Sequence, residues 1–347
     1  MQLYGREWPR RELEARVGRL EQIGGLRRLH WAEGSEAGTE AIQVRSGAGL
    51  EYLVLPSRGL DISLATFGGV PLTWQGPGGD AHPAFYDAHG FGWLRTAAGG
   101  LLMTCGLTYV GAPGEDEGAA FGLHGRAHHL PARQVSGHGR WVGDEYQMEV
   151  GGIVEEVGLF LDSLRLTRTI RSRLGENRIT IDDVVENIGF SPAPHMILYH
   201  CNFGFPLMSE ETTVSFPSRQ VTPREPETPL EGYDSWQGPD AAYQERVYYH
   251  EDLVTDAGRA TVTIRNPRFP LPGGERPLAV RVGWDTATLP RLIEWKMPGA
   301  GAHVLGIEPA NCYVEGRAAE RRRGTLVTLE PGETRTYHLE LEVDLGN

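Results

Sequence analysis

Apolar and polar residues alternate with a period of two along most of this chain, and only its first stretch keeps a helical period. In residues 10–22, Leu13, Val17 and Leu20 fall on one face with charged residues between them. That spacing predicts one amphipathic helix packed on the outside of the body. From about residue 26 the texture changes to short runs at 43–45, 51–55, 61–66 and 72–74, separated by Gly and Pro, which predict strands. Residues 76–100, rich in Gly, His and aromatics, predict a long loop, and residues 111–118 an acidic, solvated one. Alternation resumes over 140–154, 163–174 and 178–185, where Ile179 and Ile181 stand against Thr180 and Asp182. Leu174-Gly-Glu-Asn-Arg178 predicts the hairpin between the last two runs. Residues 219–245 hold several Pro and acidic residues and read as an excursion. Runs at 262–264, 279–282, 292–295, 303–307, 324–329 and 336–343 finish the chain, and Pro331-Gly332-Glu333 is expected to turn the last two back on each other.

Many short strands with regular turns, and no second helical period, predict an all-β protein built as a large antiparallel sandwich or barrel. The chain has 347 residues, and all-β folds often run past about 250 residues as one domain. The expectation is therefore a single domain over 1–347, with residues 1–25 as a helical N-terminal extension.

Composition narrows the partners. A formal net charge of -13 makes the whole molecule repel nucleic acid and anionic membranes. No run of 18 apolar residues is present and the start lacks a basic-then-apolar leader. Cys105, Cys201 and Cys312 form no CxxC and read as reduced, buried thiols, which points to a cytoplasmic protein. Lys296 is the only lysine among the 33 basic residues. Arg and Lys are not interchangeable at a tight polar site, so a lone ammonium is a candidate substrate contact.

Three dense islands carry candidate chemistry: Gly122-Leu-His124-Gly-Arg126, Leu198-Tyr-His200-Cys-Asn202-Phe-Gly204 and Gly306-Ile-Glu308-Pro-Ala-Asn311-Cys312. The glycines beside His124 allow close approach of a backbone or a ligand. His200 ends an apolar run, and Asn202, two residues on, shares its face of a strand. Glu308 closes a hydrophobic strand, where burying a carboxylate is costly unless it is paired or functional. Partial desolvation there raises its pKa toward neutrality, as a general base needs. Arg58, in Pro56-Ser-Arg-Gly-Leu-Asp61, reads either as a clamp on sugar hydroxyls or as a salt bridge to Asp61. Asp285 after Trp284, and the triplet Glu294-Trp295-Lys296, offer carboxylates, an ammonium and aromatic faces of the kind that suit sugars, or simply core. A GxSxG elbow, a Walker loop, a GxGxxG and an HExxH are all missing from the sequence. Two His and a Glu are also a metal-ligand set, but the close-spaced His-x-His of cupin-type isomerases is not in the sequence. Neither a metal nor another cofactor is expected.

The order of these islands resembles the aldose 1-epimerase (galactose mutarotase) superfamily. The wording of Pro56-Ser-Arg-Gly-Leu-Asp61, Thr104-Cys-Gly106, His124-Gly-Arg126, Tyr199-His-Cys-Asn-Phe-Gly204 and Glu308-Pro-Ala-Asn-Cys312 is similar to an uncharacterised bacterial branch of it. The likeness runs from about residue 40 to 343. It implies an antiparallel β-supersandwich over 26–347 with a concave sugar cleft, a small-molecule carbohydrate as ligand and anomer exchange as the activity. By this resemblance Glu308 matches the general base, His200 the general acid and His124 a second, sugar-polarising histidine. Arg58 and Asp285 match the substrate-holding arginine and aspartate. Apart from the resemblance, the islands and the lone ammonium offer Asn202, Arg126, Asn311 and Lys296 as further candidate substrate contacts. The Glu294-Trp-Lys-Met297 segment departs from the superfamily. A non-catalytic sugar-binding or sensing protein and a sugar isomerase on the same fold stay open as alternatives, as does assembly of several copies.

Overall fold

The computed structural model of the protein describes residues 1–346. Strands make up 52% of it and helices 8%, and every strand pairing inside its sheets is antiparallel. Two large sheets dominate. One has eight strands in the spatial order Arg133–Val142, Glu145–Glu156, Leu164–Arg173, Arg178–Asn187, Thr334–Leu345, Gly274–Asp285, Arg259–Leu271, Thr213–Ser215. The other runs Ser218–Pro223, Arg246–Leu253, Arg291–Gly299, Ala302–Ala310, Ala193–Gly204, Val327–Leu329, with Met103–Leu107 also paired to Ala193–Gly204. A five-stranded meander over residues 25–71 leans on the pair.

The main core lies between the two large sheets, where Val150, Ile170, Ile181, Val282 and Leu339 meet Tyr199, Phe203, Leu292, Leu305 and Ile307. Because strand side chains alternate, the odd-numbered residues of 199–203 that fill this core leave His200 and Asn202 on the opposite face. That second face of the seven-stranded sheet carries its own apolar cluster of Met103, Cys105, Leu198, Val247, Ile293 and Cys312 beneath Trp93 and Leu123. The three cysteines are buried and free. No helix is long and apolar enough to cross a membrane among the described residues.

The Leu174–Arg178 hairpin forms as the pattern predicts, joining Leu164–Arg173 to Arg178–Asn187. Four elements differ. The 111–118 stretch, expected as a solvated loop, pairs Gly114–Asp116 with Ala119–Phe121 and buries Asp116, because arginines of a distant helix meet its carboxylate. The N-terminal helix spans only Arg10–Glu14, followed by a short 3-10 turn at Leu20–Gln22, and Leu13 inserts with Leu3, Trp8, Ile23 and Leu174 into a small separate cluster. Gly18 interrupts the pattern, and Gly weakens a helix by about 1 kcal/mol relative to Ala. A seven-residue helix at Arg317–Arg323 has no apolar period, because it is fixed by charge: Arg317 donates to Asp116 at 2.8 Å. Finally, Pro331-Gly332-Glu333 does not fold a hairpin. Val327–Leu329 pairs with Ala193–Gly204 in one sheet and Thr334–Leu345 runs through the other, so the turn crosses between layers.

Candidate functional site

Antiparallel register brings two of the three islands together. Leu198 lies opposite Ala310 and Cys201 opposite Ile307, so His200 faces Glu308 across neighbouring strands. His200 Nε2 stands 3.1 Å from Glu308 Oε1. On the next strand over, Trp295 pairs with Gly306, and its indole meets the His200 ring edge-on at 5.5 Å. Gly306 sits in the middle of this group, where a side chain would crowd the reacting atoms. A Cβ there would lie 2.7 Å from Glu308 Oε1, 3.0 Å from Trp295 Cβ and 3.3 Å from His200 Cε1.

His124 arrives on a loop. Its backbone φ is +56°, a left-handed conformation uncommon outside glycine and a frequent mark of functional sites. Gly125 (φ +72°) follows it and packs so close to Tyr109 O and Gly106 O that a Cβ would fall within 2.6 Å of both. Backbone bonds from His124 N to Gly111 O (2.9 Å) and from Gly106 N to His124 O (3.0 Å) hold the turn. The His124 ring then meets His200 edge-on at 6.0 Å and Trp93 at 5.2 Å.

These groups floor a hollow of about 580 Å³, whose walls include Trp74, Trp93, Met103, Leu123, Val247, Ile293 and Trp295. Its edge carries Pro77, Phe91, Leu94, Arg224, Glu225, Glu245 and Glu315. Arg224 is occupied by Glu225 and by Glu245 at 3.2 Å, and Trp295 Nε1 donates to the same Glu245 at 3.0 Å. Burial pushes the Glu308 carboxyl up to about 8, against a smaller pull from Arg224. Burial, with His124 nearby, takes His200 down to about 3, and burial with Arg224 takes His124 down to about 4. Each member of the touching pair is thus driven toward its neutral form, which together leaves a single proton on it near neutral pH. Trp93 Nε1, His124 Nδ1 and His200 Nδ1 are buried without a hydrogen-bond partner among the described residues. Such groups are costly unless a ligand or water satisfies them.

The other expected contacts lie off the hollow. Arg58 is fully buried behind it: it donates to Ala81 O (2.6 Å), Thr96 O (2.5 Å) and His128 Nε2 (2.6 Å). An arginine has no acceptor, so His128 carries its proton on Nδ1 and gives it to Asp61 at 2.6 Å. Arg58 is therefore neither a sugar clamp nor the direct partner of Asp61, whose ion pair is with Arg168 at 2.8 Å. Asp285 ends a strand of the opposite sheet and approaches Arg259 at 3.6 Å. Lys296 turns away because Trp295 beside it faces the hollow. Its ammonium lies inside the sandwich, bonded to Gly232 O and, at 2.6 Å, to Ser235 O. Asn202 shares the His200 face, but its amide donates to Gly100 O and His200 O beneath the covering segment. Asn311 ties its own strand end to Ile197 N (2.8 Å) and His195 O (3.2 Å). Arg126 points to solvent. Conversely Trp74, Trp93 and Arg224 line the hollow without any motif around them. Trp93 lies in the Gly- and aromatic-rich 76–100 stretch, and that composition was the only signal for it. No group of three or more His, Cys, Asp or Glu converges as a metal set among the described residues.

A family model described as "Domain of unknown function (DUF4432)" matches residues 36–343. No curated protein matches. Among solved structures, a candidate aldose 1-epimerase from Klebsiella pneumoniae superposes with a TM-score of 0.81 at 24% identity, over 92% of this chain and 83% of that one. A galactose mutarotase-like protein from Clostridium acetobutylicum gives 0.61 at 13%, over 93% and 99%. A galactose 1-epimerase from Lactobacillus acidophilus gives 0.57 at 10%, over 93% and 99%. The fold is the galactose mutarotase-like sandwich.

Proposed function

The chain belongs to the DUF4432 family, and from that premise we propose that it is an aldose 1-epimerase-like isomerase that exchanges the anomers of a sugar by opening its ring. The observation that carries this reading is the 3.1 Å contact of His200 Nε2 with Glu308 Oε1 at the floor of an aromatic-walled hollow. Ring opening needs a proton taken from the anomeric hydroxyl and one given to the ring oxygen. Those two oxygens are borne on one carbon, so acid and base have to stand side by side rather than across a cleft. Glu308 as carboxylate takes the first proton and His200 as imidazolium delivers the second; the C1–C2 bond turns, and the reverse transfers close the other anomer. The pair enters this step as carboxylate and imidazolium and leaves it as carboxylic acid and imidazole, the form that burial favours. His124, with its unpartnered Nδ1, and Trp93 Nε1 remain to hold hydroxyls. No cofactor and no covalent intermediate are required.

Exchange spectroscopy by NMR on a panel of sugars tests the assignment. Glu308→Gln is expected to lower the rate by roughly 10²–10⁴-fold, the usual worth of one positioned acid or base. A rate left intact by that substitution removes the mechanism. Products that differ in constitution and not only in anomer would instead identify a sugar isomerase.

A further inference from the structure

The hollow is larger than its chemistry requires. Pockets of roughly 300–1,000 Å³ suit drug-sized ligands, and at about 580 Å³ this one exceeds what a single pyranose fills. Its depth is graded. Trp93, Met103 and Ile293 beside the acid–base pair are at most 3% exposed, whereas Phe91 and Leu94 at the mouth are 64% and 58% exposed. Both belong to the turn Gly92–Thr96 and its leading residue, and the segment is anchored from behind by Arg58 on Thr96 O and Ala81 O. The mouth is therefore preformed, and together with Trp74 and Pro77 it presents an apolar shelf joined to the inner site. Large exposed apolar side chains gathered beside a polar site are a signature of ligand contact.

Charge decides what the shelf takes. The rim holds Glu225, Glu245 and Glu315 against one guanidinium, Arg224, which is already engaged by the first two. A phosphate on the sugar would meet carboxylates and no free cation. An uncharged ring with an apolar face meets the indole and phenyl surfaces that suit it. Resting on the reading above, the anomeric carbon has to stay free, so the second ring is attached elsewhere on a reducing sugar.

We propose that Trp74, Pro77, Phe91 and Leu94 form an outer subsite that receives the second ring of an uncharged reducing disaccharide. Titration of tryptophan fluorescence, with glucose, galactose, maltose, cellobiose, lactose, melibiose and glucose 6-phosphate as probes, is the test. At least one disaccharide is expected to bind about tenfold more tightly than its reducing-end monosaccharide, a gap of about 1.4 kcal/mol. The double variant Phe91→Ala with Leu94→Ala, both at exposed positions, is expected to erase that gap while leaving monosaccharide binding unchanged. Glucose 6-phosphate is expected to bind no better than glucose. The subsite is overturned if no disaccharide gains over its monosaccharide, if the double variant weakens both alike, or if glucose 6-phosphate binds best. A disaccharide preference without anomer exchange in the same samples sinks the isomerase reading and leaves the subsite standing; exchange with no preference does the reverse.

Discussion

Gly306 shows how tightly single residues define the site. Its missing side chain leaves the room in which Glu308 Oε1, Trp295 Cβ and His200 Cε1 converge. Gly306→Ala sets a Cβ 2.7 Å from Glu308 Oε1, so the carboxylate has to swing aside by several tenths of an ångström, and displacing a reacting group by about 1 Å costs about 100-fold. We expect a loss of anomer exchange of up to that size while the circular dichroism spectrum stays native, and exchange at the unaltered rate would show that the position of the Glu308 carboxylate does not limit the reaction. The proton count on that pair makes a second prediction. With Glu308 raised to about 8 and His200 lowered to about 3, one proton stays on the pair between those limits. Catalysed exchange is therefore expected to be level from weakly acidic to neutral pH and to fall above about pH 8, when the pair has no proton left to give. A catalysed rate still climbing at pH 9 would contradict it. The sequence carried His124, His200 and Glu308 in recognisable settings. It did not carry the facing of residues such as Lys296, because which face a strand residue takes depends on the phase of alternation against two cores, and both faces of this sheet are apolar.

At the scale of elements, the strands followed from alternation and turns, while the pieces that shape the hollow did not. The 76–100 loop is readable only as irregular, and what fixes it is a long-range bond set from Arg58, whose motif gave no hint of which loop it would grip. The Arg317–Arg323 helix depends in the same way on the distant Asp116. Arg58→Met tests the first of these grips. It strips Ala81 O, Thr96 O and His128 Nε2 of a buried donor, at about 1 kcal/mol or more for each. Urea unfolding should register a loss of at least about 3 kcal/mol by that sum, and hydrogen exchange should quicken across 76–100. Sugar binding should weaken along with it, although Arg58 touches no part of the hollow. Arg58→Lys is expected to restore little, since one ammonium cannot replace a fork that reaches three acceptors. An unchanged urea midpoint in Arg58→Met would show that the loop is held by something else.

Over the whole molecule, buried titratable groups set the pH at which the fold is firmest. His124, His129 and His195 are held neutral by burial, His124 and His195 down to about 4 and His129 well below its ordinary value. None of the three is in ion-pair contact with a carboxylate among the described residues. Their lowered pKa means that the stability they contribute is complete above about 6.5 and is lost as pH falls toward 4, because the unfolded chain takes up protons that the fold refuses. Glu308 and Glu294 run the other way. Burial raises both, so their contribution is complete below about 4.5 and erodes as pH rises, through about 8 for Glu308. His200 and His250 touch these two carboxylates, and each such pair binds about one proton near pH 5.5 whether folded or not, so they add little slope there. The balance predicts greatest stability near pH 6–7 and an acid limb steeper than the alkaline one, since each unpaired histidine adds up to about 1.4 kcal/mol per pH unit. His195→Gln probes one of them. His195 accepts from Tyr337 at 2.7 Å and donates to Leu107 O at 3.0 Å, a pattern that an amide can share. Urea unfolding free energies measured from pH 7 to pH 5 should fall less steeply in His195→Gln than in the parent chain, by roughly 0.7 of a proton averaged over that range. Parallel slopes in the two proteins would mean that His195 is charged inside the fold, against everything its two bonds require.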